Sequence, residues 1–256
     1  MITISNLAMQ FGGSVLFKNA DLQFLPGNCY GIIGANGAGK STLFNAIAGS
    51  FITDAGRIFL DGKDITLQAE HKRARTIGRL FQDPMRGSAP GMTIEENLAL
   101  ASGRGGWMHR TSQADRRFFR EKVALLGMGL EDRMNQPVGL LSGGQRQALT
   151  LLMATATRPQ LLLLDECTAA LDPGTAEKVL ALVNRIVGEE HLTCLMITHD
   201  MQAALDLGNR TIMMNNGQIV MDVENEERCG LTISDLLLKF KEAAGKELSN
   251  DRMLLT

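Results

Sequence analysis

The sequence lacks any run of 18 or more apolar residues, which is the length that a membrane-spanning helix requires. Residues 1–11 lack the charged start and the long apolar stretch of a secretory signal peptide. A basic excess is also missing, since 26 Lys and Arg residues stand against 28 Asp and Glu residues. This balance argues against an extended surface for nucleic acid. We therefore expect a cytoplasmic protein with no nucleic-acid partner.

Cysteine spacing of the kind that holds a metal is absent as well. The sequence has four cysteines, which are Cys29, Cys167, Cys194 and Cys229. Three of these four stand in or beside apolar runs. We expect reduced thiols. The remaining composition, 45% hydrophobic and 21% charged, is that of a globular protein with a sizeable core. No internal repeat is present, so residues 1–256 are expected to form a single unit.

Residues 30–48 predict a strand, a loop and a helix in succession. The pattern Gly34-x-x-x-x-Gly39-Lys40-Ser41 matches a phosphate-binding loop, in which backbone N–H groups converge on an anion at a helix N-terminus. Lys40 is expected to reach the β- and γ-phosphates, and the Ser41 hydroxyl to bind Mg²⁺. Because both the strand and the helix flank the motif, a nucleoside triphosphate site is favoured over a glycine-rich turn that only caps a helix.

Two carboxylates, Asp165 and Glu166, end the continuous apolar run LLLLDE. Such a run is typical of a buried parallel strand whose carboxyl end meets a site. Asp165 is expected to bind the water shell of Mg²⁺, and Glu166 to act as general base toward the water that attacks the γ-phosphate. The alternative is a buried strand that runs into a surface turn.

Four apolar, strand-like runs end at candidate site residues, which are Gly34, Gln82, Asp165 and His199. Parallel strands of one sheet place their carboxyl ends at the same edge, so these residues can gather around one nucleotide. Gln82 then fits a position that ligates Mg²⁺ and orients water, provided that its strand lies beside the phosphate loop. His199 fits a contact to the γ-phosphate. Taken singly, a glutamine or a histidine at a strand end indicates little.

A second candidate anion site is the helix start at Ser142-Gly143-Gly144-Gln145. A serine hydroxyl beside bare glycine backbone can bind an anion there, although a capped helix start explains the serine and glycines equally. Phe11 could stack on an adenine base, or it could be a core residue at a strand end. The basic run 71–75 is interpreted as a solvated helix face without a function.

The remaining pattern predicts a helix over 111–134 and hairpin turns at 61–62 and 216–217. Residues 83–98, which follow Gln82, contain little charge before Glu95. Met85, Met92 and Ile94 are expected to line a partly exposed apolar groove. The alternative is that they pack inside the helical segment.

With these residues identified, the sequence resembles the ATP-binding subunits of ABC transporters over essentially its full length. The phosphate loop of that family matches 34–42, its glutamine loop Gln82, its signature 141–145 and its Walker B motif 161–165 followed by Glu166. Its D-loop matches 170–172 and its histidine switch His199. Phe11 stands where Tyr is commoner, and Cys167 where Pro often follows the glutamate.

The resemblance implies an α/β fold. Its P-loop NTPase core has a mainly parallel sheet, an N-terminal antiparallel β subdomain and an α-helical insert. Residues 83–157 would form the helical subdomain with the signature, and 1–82 with 158–256 the β-rich and RecA-like core. Catalysis would involve Glu166, His199 and Gln82, and the metal Ser41, Gln82 and Asp165. The nucleotide contacts would come from Phe11, Gly34, Asn36, Gly37, Ala38, Gly39, Lys40, Ser41, Thr42, Ser142, Gly143, Gly144, Gln145 and Asp172.

In this family two cassettes close head to tail, so that Ser142 and Gly144 of one copy hold the γ-phosphate bound by Lys40 of the other. The resemblance therefore implies ATP and Mg²⁺ as cofactors, a homodimer in the ATP-bound state and a permease that holds the protein at the inner face of the cell membrane. The stretches around Gln82 and the signature look like an importer subgroup that works indirectly with a solute-binding protein, some members being assigned to aromatic amino acids.

A cytosolic ABC ATPase of translation or DNA repair is the alternative, but those proteins usually carry two cassettes in one chain or a long coiled-coil insertion. A scaffold without turnover is disfavoured because Lys40, Asp165, Glu166 and His199 are all present.

Overall fold

The computed structural model describes residues 1–11, 14–103, 111–224, 227–228 and 230–244. Its strands, in chain order, are β1 (Ile2–Phe11), β2 (Ser14–Phe24), β3 (Cys29–Gly34), β4 (Ala55–Leu60), β5 (Lys63–Asp64), β6 (Ile77–Leu80), β7 (Leu161–Asp165), β8 (Thr193–Ile197), β9 (Arg210–Asn215) and β10 (Gln218–Glu224). Its α-helices are α1 (Lys40–Ala48), α2 (Glu70–Arg73), α3 (Ile94–Ala101), α4 (Gln113–Ala124), α5 (Gly143–Thr155), α6 (Pro173–Glu190), α7 (Met201–Leu207) and α8 (Ile233–Ala244).

The larger sheet has the strand order β10-β9-β3-β8-β7-β6. All neighbouring pairs are parallel except the β9–β10 hairpin. The interior strand β7, between β8 and β6, is buried on both faces, and each residue of 161–164 is 0% exposed, which explains its uninterrupted leucines. The mainly parallel α/β sheet expected from the sequence is confirmed.

The smaller sheet is antiparallel and has the order β2-β1-β4-β5. The turn between β4 and β5 has positive φ at both central residues, 47° at Asp61 and 77° at Gly62. Asn216 and Gly217 repeat this between β9 and β10, with 47° and 74°. This turn matches the twist of a hairpin, and Asp-Gly and Asn-Gly favour it because these residues tolerate positive φ. Both predicted hairpins are confirmed.

Helices α3, α4 and α5 lie between β6 and β7 in the chain. The continuous helix predicted over 111–134 is wrong, because α4 ends at Ala124. The chain turns instead at Gly127 and Gly129, where φ is 61° and 67°. The apolar spacing continues past the helix because Leu126 and Leu130 remain in the core, so periodicity alone overestimates its length.

The prediction that Met85, Met92 and Ile94 line one exposed groove is wrong for Ile94. Thr93 caps α3, and Ile94, the first residue inside the helix, is 0% exposed in a core cluster with Leu98. Met85 is 43% exposed, and its sulfur contacts the guanidinium of Arg146. Its side chain therefore faces the surface, whereas Ile94 stabilises the helical segment from inside.

Arg73 contradicts the interpretation of 71–75 as a solvated face. It is 1% exposed and donates hydrogen bonds to the carbonyls of Ala46 and Ile47 at the end of α1, at 2.8 Å each. Further bonds reach the carbonyls of Thr66 (2.7 Å) and Gln68 (2.8 Å). A positive charge at a helix C-terminus also interacts favourably with the negative end of the helix dipole. Arg73 thus fixes the helix that begins with Lys40.

Cys29, Cys167 and Cys194 are buried free thiols, which confirms the prediction for these three, and Cys229 lies outside the described residues. Burial raises the pKa of the Cys167 thiol to about 12. None of the helices in the described part of the chain combines the length and apolar composition needed to cross a bilayer.

Candidate active site

The loop between β3 and α1 turns through backbone angles that favour glycine. The φ angle is 147° at Gly34 and 97° at Gly39. A Cβ atom at Gly34 would lie 2.2 Å from the carbonyl oxygen of Met214 on β9, so the loop passes too close to that strand for any side chain. The loop leads directly into the N-terminus of α1, whose free amides attract anions. Within it, Asn36 and Gly37 are exposed and Ala38 is buried.

Lys40, the first residue of α1, folds back over this loop. Its ammonium donates to the carbonyls of Gly34 (2.7 Å) and Ala35 (2.9 Å), and the residue is only 5% exposed. Burial lowers the pKa of Lys40, and the negative charges of Glu166 and Asp165 oppose this shift. The ammonium therefore lies between the loop and the two carboxylates at the end of β7. Ser41 and Thr42 follow it in the first turn of the helix.

Asp165 ends β7 beside the first turn of α1. Burial raises the pKa of its carboxyl group, while the charge of Arg79 and a hydrogen bond from the Ser41 hydroxyl act in the opposite direction. The Ser41 hydroxyl and the Asp165 carboxylate are both oxygen donors of the kind that Mg²⁺ prefers.

Glu166 has a backbone conformation unusual for a residue with a side chain, with φ at 47°. Its N–H donates to the carbonyl of Ile197 on β8 at 3.0 Å, which holds the turn in place. The carboxylate lies 2.6 Å from Nε2 of His199, two residues beyond the end of β8. Such strained backbone is commonly retained where function requires a particular side-chain direction. The chain here directs Glu166 toward His199.

In the described part of the chain, no cluster of three or more His, Cys, Asp or Glu side chains could hold a metal ion by itself. Ser41 and Asp165 supply two oxygens, which fits a cation that shares its remaining ligands with phosphates and water. The donor set therefore suits Mg²⁺ that arrives with a nucleotide.

Gln82 lies two residues beyond β6 and is exposed. Strand β6 pairs with β7, and β7 and β8 separate it from β3, so the strand of Gln82 is next to that of Asp165 and not next to the phosphate loop. Phe11 ends β1, and its side chain lies outside the described residues. Adenine stacking by Phe11 stays a prediction.

The helix start at Ser142 is a capped terminus. The Gln145 amide donates to Ser142 Oγ (3.3 Å), and the Ser142 amide donates to Gln145 Oε1 (3.2 Å). Gly143 is exposed, whereas Gly144 packs against α6, where an added Cβ would lie 2.1 Å from the methyl group of Thr175. Among described residues, no hydrogen bond joins this helix start to Lys40.

Asp172 caps α6, and its Oδ1 accepts the N–H of Thr175 at 3.0 Å. These hydrogen bonds from Thr175 lower the pKa of Asp172. The D-loop residue and the signature helix therefore meet at the same threonine.

Sequence analysis did not single out Arg79. Its guanidinium donates to Oδ1 of Asn45 on α1 (2.7 Å) and lies 3.7 Å from Oδ2 of Asp165. The available signal was a single arginine within the short apolar run 77–81. A charge in a strand that is expected to be buried needs partners, and those partners are nearby functional residues.

The model of the family described as ABC transporter matches residues 17–169 of this sequence. This chain belongs to the ABC transporter family. Members couple ATP hydrolysis to transport, so the chain is an ABC ATPase, and ATP is its nucleotide.

Relatives of this ABC ATPase include the tyrosine transport ATP-binding protein of Clostridioides difficile, 40% identical over 95% of this chain and 100% of the relative. The sulfate/thiosulfate import ATP-binding protein CysA of Thermosynechococcus vestitus is 36% identical over 85% of this chain, which spans 62% of that relative's length. The methionine import ATP-binding protein MetN of Rhizobium johnstonii is 36% identical over 86% of this chain and 60% of the relative.

Solved structures of ATP-binding cassettes share the fold of this ABC ATPase. A dimeric cassette bound to ADP and inorganic phosphate after hydrolysis has a TM-score of 0.76 at 26% identity, over 88% of this chain and 98% of that one. A nucleotide-free cassette from an ABC transporter has a TM-score of 0.79 at 27% identity, over 92% and 95%.

Proposed function

We propose that this ABC ATPase hydrolyses ATP with Glu166 as the general base and His199 as the residue that orients it. The observation that carries this proposal is the 2.6 Å contact between the Glu166 carboxylate and Nε2 of His199, at the carboxyl ends of the neighbouring strands β7 and β8. A carboxylate held by a neighbouring imidazole can accept a proton from a water molecule that attacks the γ-phosphate.

Lys40 and the amides of the loop would bind the phosphates, and Ser41 and Asp165 would hold Mg²⁺. When bound, Mg²⁺ neutralises charge on the phosphate oxygens. The ammonium of Lys40 donates to two loop carbonyls, which ties the side chain to the loop that would hold the phosphates. Gln82 would join the site from β6, where the neighbouring strand already presents Asp165.

The site is completed by a second copy of the chain in the ATP-bound state. Ser142 and Gly143 are exposed at the start of α5. The family pattern assigns Ser142, Gly143, Gly144, Gln145 and Asp172 to the nucleotide held by the partner. The dimeric cassette with ADP and phosphate supports this assembly.

A permease is the proposed membrane partner, and it would hold the ATPase at the inner face of the cell membrane. A groove of about 630 Å³ lies beside the strand of Gln82 and is lined in part by Phe81, Leu100, Thr150 and Met153. Leu100 is 55% exposed. A short helix of the permease would dock in this groove. The groove would then lie between the sheet and residues 83–157, which we propose form the helical subdomain.

Import is the proposed direction, because relatives are named as import ATP-binding proteins for sulfate or methionine. An aromatic amino acid is the proposed solute class. The tyrosine transport relative supports it, because this chain matches 100% of that relative's length. A solute-binding protein would deliver the solute to the permease.

Replacement of Glu166 by Gln tests the assignment of the base. Glu166→Gln keeps the size of the side chain but cannot accept the proton, so hydrolysis should fall by about 10²–10⁴-fold while ATP binding is retained. Glu121→Gln on the exposed face of α4 removes the same charge elsewhere and serves as the control. Phosphate release and binding of a fluorescent ATP analogue measure the two effects.

Light scattering of Glu166→Gln with ATP tests the assembly, because a variant that cannot hydrolyse should accumulate as a dimer. In the hydrolysis assay, a turnover rate of Glu166→Gln within about threefold of the wild-type rate would show that Glu166 is not the base. A variant that binds ATP but remains monomeric would contradict the head-to-tail site.

A further inference from the structure

Arg79 is the charged residue of β6, and its guanidinium lies near four other side chains. It donates to Oδ1 of Asn45 at 2.7 Å and to Ser50 Oγ at 3.4 Å. It lies 3.7 Å from Asp165 Oδ2 and 4.7 Å from the centre of the Phe81 ring. The side chain is only 14% exposed. Its charge is therefore held between α1 and Asp165 and is largely shielded from water.

Asp165 and Glu166 place two carboxylates next to each other, and their side chains are 15% and 14% exposed. Neighbouring negative charges with little access to water require positive partners. Glu166 pairs with His199, and the hydrogen bonds of the Lys40 ammonium go to two loop carbonyls. Among the described residues, Arg79 is the cation whose side chain lies within 4 Å of Asp165, while the Lys40 ammonium is attracted to both carboxylates from the loop.

The separation of 3.7 Å shows how Arg79 acts on Asp165. It is longer than a good hydrogen bond, whereas the bond to Asn45 is short. Asn45 anchors the guanidinium, and Asp165 interacts with it mainly through charge. The carboxylate can therefore coordinate a cation without first breaking a strong bond to Arg79.

We propose that Arg79 is the resident counter-ion of Asp165 and that its charge sets how tightly the nucleotide site holds a divalent cation. The proposal rests on the proposed role of Asp165 in binding Mg²⁺. A guanidinium beside Asp165 repels a divalent cation but attracts the phosphates of ATP. It therefore weakens cation binding and strengthens binding of cation-free ATP. If Arg79 only stabilised the fold, it would strengthen the binding of both the cation and ATP.

The test uses full-length protein in the Glu166→Gln background, which prevents turnover. Arg79→Met and Arg79→Gln both remove the charge, and glutamine can still donate to Asn45. Arg79→Lys keeps the charge. Arg86→Met is the matched control, because the Arg86 guanidinium also lies over the Phe81 ring, at 5.0 Å, on an exposed side chain.

Electron paramagnetic resonance with Mn²⁺ and ATP measures the cation affinity of each variant. The two neutral variants should bind Mn²⁺ about tenfold more tightly, because they lose repulsion between a single and a double charge at short range. They should also bind a fluorescent ATP analogue in excess EDTA more weakly. Arg79→Lys and Arg86→Met should stay within about threefold of the parent in both measurements.

The opposite signs of the two effects separate charge from damage to the fold, since a distorted site loses affinity for both ligands. Unchanged or weaker Mn²⁺ binding in Arg79→Gln overturns the counter-ion role, and Arg79→Gln decides if Arg79→Met fails to fold. If neither neutral variant folds, Arg79 is a structural residue and the proposal is overturned. A parent protein that binds no Mn²⁺ with ATP contradicts instead the proposed function of Asp165.

Discussion

Replacement of Arg73 by methionine is expected to destabilise the protein by about 3 kcal/mol, and the magnitude follows from the carbonyl groups that lose their donor. The guanidinium satisfies four carbonyls, and only that of Ala46 has another described donor, the N–H of Gly49 at 3.3 Å. Methionine removes the buried charge as well, so its desolvation cost is recovered. What remains is three unsatisfied carbonyls at about 1 kcal/mol each, the lower end of the usual range.

Urea unfolding of the nucleotide-free protein, followed by circular dichroism, measures this loss. Arg75→Met is the control, because Arg75 is exposed on the same segment, and it should change the free energy of unfolding by less than about 0.5 kcal/mol. The melting temperature of Arg73→Met should fall by about 6–12 °C. Equal stability of the Arg73→Met and Arg75→Met proteins would refute the argument that Arg73 holds the end of α1.

Three further predictions concern the helical segment and the core. Ile94→Asp should unfold the helical segment because Ile94 is fully buried, whereas Leu100→Asp should leave basal hydrolysis intact and weaken permease binding, as pull-down with the permease would measure. Glu96→Ala should cost about 1 kcal/mol in urea unfolding by removing the capping box with Thr93. Hydrogen bonds from Thr93 lower the pKa of Glu96, so this contribution is present at neutral pH and is lost as the pH falls through that lowered pKa. Cys167 should resist alkylation by iodoacetamide at pH 8 until the protein unfolds, since burial raises its pKa to about 12, and rapid labelling of the native protein would contradict this.

The phosphate loop and the parallel strands were predictable because their signals are local. Glycines at fixed spacing and apolar runs that end in polar residues require only that the strands share one sheet. Arg73 and Arg79 were not predictable in the same way. The α1 carbonyls that Arg73 satisfies lie 26 and 27 residues away, and Asp165 is even further from Arg79. Partners that distant are set by tertiary packing, which a charge count does not record.

The direction in which a side chain points, and the position of its strand in the sheet, were harder to predict than which residues belong to the site. The sequence predicted that Ile94 makes apolar contacts, but the rotation of α3 that buries it depends on the helices against which it packs. Likewise, the strand of Gln82 joins the sheet at its edge, and the order of strands cannot be deduced from where each one ends.

The contact between Gly144 and Thr175 determines which glycine of the signature can be used to probe the dimer. A methyl group at 144 must displace a branched side chain on α6, so lost activity there would measure a steric conflict inside one subunit. Gly143 is exposed, and among the described residues no atom beyond its chain neighbours and the backbone of its own helix lies within 4 Å of an added Cβ. A methyl group at 143 would therefore meet none of the described residues around this helix start, so we expect a defect that it causes to report on the nucleotide or the opposing copy.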